Sequence, residues 1–407
     1  MPEIEEKIHP DSPATSRSLL QSRSLLQLVP RFRPDIDGLG DFSLYLGDAL
    51  WKHSGLSSSY VVWRQPRVAL EPAPSSSINL PHSIIRLPKT SPRALRAALN
   101  TATEQGAMPV LLLHYTSYAF SKEGVAWWLP GVLRAFVARG GRVVSFFHEL
   151  YATGRFPRKI WLTSGLQKRI FREILALSTA GITSSEDYLE RMRAENSTGR
   201  PLILAGIGSN VGELDSPPPL AARARRLAIF GVYTSRQTLY EQHMPLLRRL
   251  VDHLGVTEVA DIGTAGEDRQ LLNWVKDQFG SKFHVYGALP ATEVSRLLAD
   301  SSVGVVNYDY HLRSKSGIVA AYQSHGVPTV IFTPIQHLRP TQFADDALTA
   351  EELMGLDGET PPGAQGQSAA LNSAALLNAA GPAGFAYYQR NRSYASILRQ
   401  ILPWIQP

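Results

Sequence analysis

The sequence predicts a two-domain α/β protein built on parallel sheets. Three observations carry this. The chain has 407 residues, more than one ordinary hydrophobic core accommodates. Short apolar runs alternate with helical patterns along most of it, as parallel strands with helices on both faces require. A composition break with three consecutive prolines, "AGIGSNVGELDSPPPLAARARR" at 205–226, splits that alternation into two halves.

The elements follow in order. Residues 1–22 read as a disordered tail, in which "SRSLLQ" at 16–21 repeats at once at 22–27. "LLQLV" (25–29) is the first strand. The glycines of "PRFRPDIDGLGDFSLYLGDAL" lead into Phe42, Leu46, Ala49 and Leu50, which have helical spacing. Further strands are expected at "SSYVVWR", "SIIRLP", "PVLLLHY", "RVVSFFHE" and "AGITSS", with a helix over 156–179. After the break come strands at "RLAIFGV", "EVADIG", "FHVYG", "VGVVNY" and "PTVIF". Helices over 245–253, 267–279, 292–299 and 317–325 separate them. Residues 358–381, rich in Gly, Pro, Ala, Ser and Gln, read as a loop with a short helix. "GFAYYQRNRSYASILRQIL" is a closing aromatic helix. The expected organisation is a first domain over 23–204 completed by 382–407, a linker over 205–225 and a second domain over 226–381.

Composition narrows the function. With 41 basic and 35 acidic residues, the net charge of +6 suits an anionic small ligand or a membrane surface and falls short of a nucleic-acid-binding balance. The absence of cysteine excludes disulfides, a thiolate nucleophile and thiolate metal sites. No apolar run approaches the roughly 20 residues that span a bilayer. The acidic, Pro- and Ser-bearing N-terminus has no signal-peptide pattern. The expected location is the cytoplasm.

Candidate site residues lie at strand ends. "PVLLLHY" and "RVVSFFHELY" are apolar runs that close on His114 and on His148 with Glu149. Ligands of parallel sheets bind outside the carboxyl ends of the strands, which places both histidines at a cleft. A histidine there can hydrogen-bond a ligand or move a proton, and Glu149 can orient it or act as base. In "RSKSGIVAAYQSHG", Lys315 precedes a helix that begins at Ser316 or Gly317 and stops at Gly326. Free N–H groups and a lysine at a helix start form an anion site. "DGLGD" offers Gly38 and Gly40 for close backbone approach, but Ser43 replaces the third glycine of a dinucleotide fingerprint. "HELYA" has Ala152 where a zinc motif needs histidine, and the D-x-D of Asp35 to Asp37 lies in a turn. No metal site is expected. The helix around 158–177 alternates Arg158, Lys159, Lys168, Arg169 and Arg172 with Ile160, Trp161, Ile170, Phe171 and Ile174. That pattern suits either a helix covering the sheet or one resting on the inner face of an anionic membrane.

The order of these motifs resembles the group 1 (family 4) glycosyltransferases. "GLGDFSLYLGDAL" resembles their glycine loop and first helix, and "FFHELY" their histidine segment. "LILAGIGSNV" resembles the crossing into the second domain. "VYGALPATEVSRLLADSSVGVVNY" and "KSGIVAAYQSHGVPTVIF" resemble the donor-side segments. The resemblance implies the GT-B fold: two Rossmann-like domains facing a cleft, with a C-terminal helix crossing back to the first. It implies transfer of a sugar from a nucleoside-diphosphate sugar to a glycan or lipid-linked acceptor in polysaccharide biosynthesis. Neither an obligatory metal nor a resident cofactor is expected. The donor contacts would be Gly38, Gly40, Arg236, Arg313, Lys315, Ser316 and Gly317. His148 and Glu149 would be catalytic, and His114 a sugar or acceptor contact. The sequence departs from the family at two places. Many members carry two glutamates eight residues apart in the donor segment, and those places hold Arg313 and Ala321. This leaves open a catalytically inactive sugar-nucleotide binder, or a GT-B sugar-nucleotide epimerase.

Overall fold

The strand sequences explain the layering. "VLLLHY" and "RVVSFF" carry apolar residues at successive positions, so both faces of each strand must be covered. The computed structural model describes residues 24–35, 37–66, 82–104, 108–152, 159–264, 269–332, 347–353 and 367–406. The expected tail at 1–22 lies outside the described residues.

The first sheet contains β1 (Ser24–Val29), β2 (Ser57–Val62), β3 (Ser83–Arg86), β4 (Val110–Tyr115), β5 (Arg142–Phe147), β6 (Ala180–Thr183) and β7 (Leu202–Leu204). Helices α1 (Gly38–Ser54), α2 (Pro92–Thr103), α3 (Leu129–Val137), α4 (Lys159–Leu177) and α5 (Glu186–Glu195) connect them. The second sheet contains β8 (Ala224–Phe230), β9 (Glu258–Ile262), β10 (Phe283–Gly287), β11 (Ser301–Asn307), β12 (Thr329–Phe332) and β13 (Leu348–Thr349). Its helices are α6 (Tyr233–His253), α7 (Arg269–Phe279), α8 (Ala291–Ala299), α9 (Gly317–Ser324) and α10 (Ala350–Leu353). The chain ends in α11 (Gln367–Asn391) and α12 (Tyr394–Ile405). All pairings are parallel, in the orders β3-β2-β1-β4-β5-β6-β7 and β10-β9-β8-β11-β12-β13. Both orders reverse direction once, between β1 and β4 and between β8 and β11. Those switch points open the crevices in which doubly wound sheets take their ligands.

Three expectations change. Helix α6 begins at Tyr233 rather than at 245, and it carries Pro245 inside it. Its buried stripe of Arg236, Leu239, Tyr240, Met244, Leu247, Leu250 and Val251 keeps helical spacing through the proline. Packing there outweighs one lost hydrogen bond. The short helix expected within 358–381 is longer than that: 367–381 is wholly helical and continues to Asn391, because alanine has the highest helix propensity and α11 packs on the second domain. The single closing helix is two helices. Arg392 and Ser393 both donate backbone N–H groups to Tyr388, and the Ser393 hydroxyl caps α12. Strands β7 and β13, of three and two residues, carry too little pattern to be read from sequence.

The crossing of the chain back to the first domain takes place at this break rather than at 382. Leu377 and Ala380 of α11 belong to the core of the second domain. Tyr394, Ile397, Leu398, Ile401 and Ile405 of α12 pack with Phe42, Leu46 and Leu112 of the first. Arg392 fastens the junction. Its buried guanidinium donates to the carbonyls of Ile207 at 3.0 Å and Ser316 at 2.6 Å, and to Gln323 Oε1 at 3.0 Å. Helix α4 covers the first sheet: Ile170, Phe171 and Ile174 are core residues. Lys168 and Arg172 pair with Glu195, and Arg169 with Glu173. Of the apolar residues that would rest this helix on a membrane, Ile170, Phe171 and Ile174 are already buried in the domain core. Arg158 lies outside the described residues. Among the described residues no helix is long and apolar enough to cross a membrane.

Candidate active site

A cleft of about 580 Å³ opens between the two switch points. It is lined by residues following β1, β4 and β5 on one side and β8, β9, β10 and β11 on the other. The first-domain wall begins at the start of α1. Asp37, in extended conformation, accepts from Leu39 N and Gly40 N and so fixes that helix end. Gly38 lines the cleft, and a Cβ there would meet no atom within 4 Å. Gly40 faces inward instead: a Cβ would stand 2.7 Å from the Arg31 carbonyl oxygen. Of the two expected ligand glycines, Gly38 borders the cleft and Gly40 allows α1 to pack.

Asp41, one helical turn in, also lines the cleft. Burial pushes its carboxyl up to about 6, although the Arg33 guanidinium 3.8 Å away opposes the shift. Nothing in the sequence marks Asp41 as different from any first-turn acid. Its position at the β1 switch point is the only clue.

His148 and Glu149 line the same wall. Both backbone N–H groups donate to the Tyr115 carbonyl, which turns the chain sharply after β5. The His148 ring stacks on Phe146 at 4.4 Å and meets the edge of Phe42 at 5.5 Å. Burial, with His114 and Lys315 nearby, holds its imidazole well below the usual range, so it is neutral. His114 does not reach the cleft. It lies behind His148, fully buried, with its Nδ1 3.1 Å from His148 Nε2. Expected at the rim as a sugar contact, it is instead support for His148, because its β4 position falls within the sheet rather than after it.

On the opposite wall, Ser316 caps α9 by accepting from Val319 N at 3.2 Å. Lys315, Ser316 and Gly317 all line the cleft. Lys315 Nζ donates to the Tyr188 hydroxyl of α5 at 2.7 Å and lies 4.2 Å from that ring's centroid. The lysine of one domain is thus held by a tyrosine of the other. Asn210, in the segment joining the domains, also faces the cleft, and its Oδ1 is buried with no hydrogen-bond partner.

Two expected cations lie elsewhere. Arg236 is buried under the floor, where it pairs with Asp261 and donates to the carbonyls of Gly231 and Thr264. It ties together the ends of β8 and β9. Asp261, at the end of β9, captures it first. Arg313 turns to the far side of its 3-10 turn (310–315), where it stacks over Tyr310 at 4.4 Å and lines a separate cavity with Ser184 and Arg392. Ala321, the second departure from the glutamate pair, is fully buried. Among the described residues, no group of three or more His, Asp or Glu could hold a metal ion.

The cleft is therefore polar in a definite sense. Asp37, Asp41, Glu149 and a neutral histidine stand on the first-domain side. Lys315 and the α9 N-terminus stand on the second. The cationic wall suits an anion, and the acidic wall with its unprotonated imidazole can accept a proton.

No protein-family model and no curated protein match this sequence. Solved structures match its fold. TarM aligns with a TM-score of 0.61 at 7% identity, covering 95% of this chain and 99% of its own. AviGT4, a glycosyltransferase involved in avilamycin A biosynthesis, aligns with a TM-score of 0.52 at 12% identity, covering 94% and 97%. A UDP-N-acetylglucosamine 2-epimerase aligns with a TM-score of 0.52 at 12% identity, covering 89% and 91%. At these identities the likeness is one of fold. The chain has the GT-B architecture, shared by proteins of different activities.

Proposed function

We propose that this protein transfers a glycosyl group from a nucleoside-diphosphate sugar to a hydroxyl acceptor on a glycan or lipid-linked substrate. The observation that supports the reading is the opposition of charge across the cleft. Glycosyl transfer separates charge in the same way: the leaving diphosphate gains a negative charge while the acceptor hydroxyl loses a proton. Lys315 and the N–H groups of α9 meet the first demand as a preorganised electrostatic site. His148, Glu149 and Asp41 meet the second. The GT-B neighbours, one of them acting on a UDP-sugar, support a nucleotide-sugar substrate.

A second reading, binding without turnover, is favoured by the departures at Arg313 and Ala321, neither of which lines the cleft. Incubating the protein with a panel of nucleotide sugars and following release of nucleoside diphosphate separates the two. Slow donor hydrolysis without acceptor, unchanged by EDTA, is the expected result. Binding of a nucleoside diphosphate with no release from any donor leaves the binder reading. No binding of any member of the panel removes both.

A further inference from the structure

Strand β1 reads "SLLQLV", and its glutamine is fully buried in an otherwise apolar run. An uncharged amide in that position is costly unless every group it carries is bonded. Gln27 Oε1 lies 2.9 Å from His114 Nε2, and Gln27 Nε2 lies 2.9 Å from Ser58 Oγ. His114 Nδ1 in turn lies 3.1 Å from His148 Nε2. One line of hydrogen bonds runs from His148 at the cleft through His114 of β4 and Gln27 of β1 to Ser58 of β2.

The Gln27 amide sets the direction of the bonds toward the cleft. Its Nε2 can only donate, and Ser58 Oγ accepts from it. Gln27 therefore presents its oxygen to His114, whose Nε2 must carry a hydrogen. Burial pushes the His114 imidazole down to about 3, so it is neutral and its Nδ1 is bare. That bare nitrogen accepts from His148 Nε2–H.

We propose that Gln27 and His114 are positioning residues that hold His148 in its Nε2–H tautomer, leaving Nδ1 as its one basic atom. Its catalytic consequence rests on the transfer reading above: His148 Nδ1 takes the acceptor hydroxyl's proton as that oxygen forms its bond to the anomeric carbon and the carbon's bond to the departing diphosphate breaks. The tautomer itself does not depend on that reading.

The test is ¹⁵N NMR of wild-type protein labelled in its histidine rings, with His148 and His114 assigned by single substitution. Nε2–H with bare Nδ1 is expected for both. An Nδ1–H signal for His148 overturns the proposal whatever the protein's activity. The variants Gln27→Glu and Gln27→Met give the kinetic arm. Glutamate still accepts from His114 and should keep both the tautomer and most of kcat. Methionine should release the tautomer and lower kcat about 100-fold with the donor KM unchanged. Gln27→Met with full kcat and an unchanged tautomer refutes the idea. Should that variant fail to fold, the wild-type spectrum still decides.

Discussion

Replacing Lys315 by alanine is the most informative single perturbation of the cleft. Two unit charges about 4 Å apart attract by about 4 kcal/mol at an effective dielectric of about 20. Lys315 is half-buried in a cleft open to water, so part of this is screened. Hydrogen bonds to charged groups measure about 1.5–3 kcal/mol, and about 2 kcal/mol is the reasonable expectation. That corresponds to roughly 30-fold weaker nucleoside-diphosphate binding. The α9 N-terminus keeps about half a positive charge, so binding should weaken rather than vanish. The chemical step should slow as well, because charge on the diphosphate grows as the bond breaks. Arginine at 315 should retain part of both effects, since charge persists while the compact ammonium is lost. Stability should change by no more than about 1 kcal/mol, the scale of the contact with Tyr188. Calorimetric titration of wild type and Lys315→Ala with each nucleoside diphosphate reads the outcome. Equal affinities for the preferred nucleotide would remove Lys315 from the site, and with it the charge argument for transfer.

Three further outcomes follow from the geometry. Arg236→Met should destabilise by about 3–5 kcal/mol, because buried Asp261 loses its cation and keeps only the Tyr240 hydroxyl, while nucleotide affinity per folded molecule stays within about twofold; denaturant titration beside calorimetry distinguishes it from Lys315→Ala. His148→Gln should lower turnover about 100-fold at nearly unchanged donor KM, since an amide can still donate to His114 but is not a base. Glutamine is the better test than alanine here, because a truncated His148 would leave a void beside Phe146. Asp41→Asn should raise stability above pH 6 by up to about 3 kcal/mol and not at pH 4, as read by thermal melts. The native carboxyl titrates near 6 against 3.8 unfolded, so its contribution is favourable below 3.8 and lost as pH rises through 6. If Asp41 is the base, wild-type turnover also falls as pH drops through about 6, and the variant loses that limb.

The strand-end rule made much of the cleft legible. His148 and Glu149 follow β5, the neighbour of switch-point strand β4, the Lys315–Gly317 segment follows β11 at the second switch point, and all of them line the cavity. Arg236 misled because Pro245 hid the first three turns of α6. Read as a loop residue after β8, it is a helical residue facing Asp261. Arg313 misled for a different reason. In a 3-10 turn successive residues rotate by about 120°, so positions 313 and 315 cannot share a direction. Asp41 and Gln27 carried no local signal, since burial and partners from other strands give them their character. The break in the closing helix was hidden because Arg392 acts through carbonyls distant in sequence, those of Ile207 in the joining segment and Ser316 in the second domain.

These backbone ties bear on how the cationic wall works. The segment from Tyr310 to Gly317 supplies both the lysine and the open helix end. Arg392 holds the Ser316 carbonyl, the Ser316 hydroxyl caps α9, and Tyr188 holds the Lys315 ammonium from the other domain. An ammonium has three donors, and Tyr188 occupies one of them. The remaining donors can serve an anion without the side chain first being ordered. Catalysis by charge stabilisation depends on such prior ordering, because donors that must reorganise during the reaction return less of their interaction energy to the transition state. The contact between Lys315 and Tyr188 joins the two domains, so the position of the charge depends on their spacing. Tyr188→Phe removes the hydrogen bond of that tie, keeping the ring contact, without touching the charge. It should therefore lower turnover more than it lowers nucleotide affinity, the reverse of what the loss of a simple binding contact would do. Single-turnover rates set beside calorimetric affinities give the comparison. An affinity loss equal to the loss in rate would mean that Tyr188 merely adds to binding.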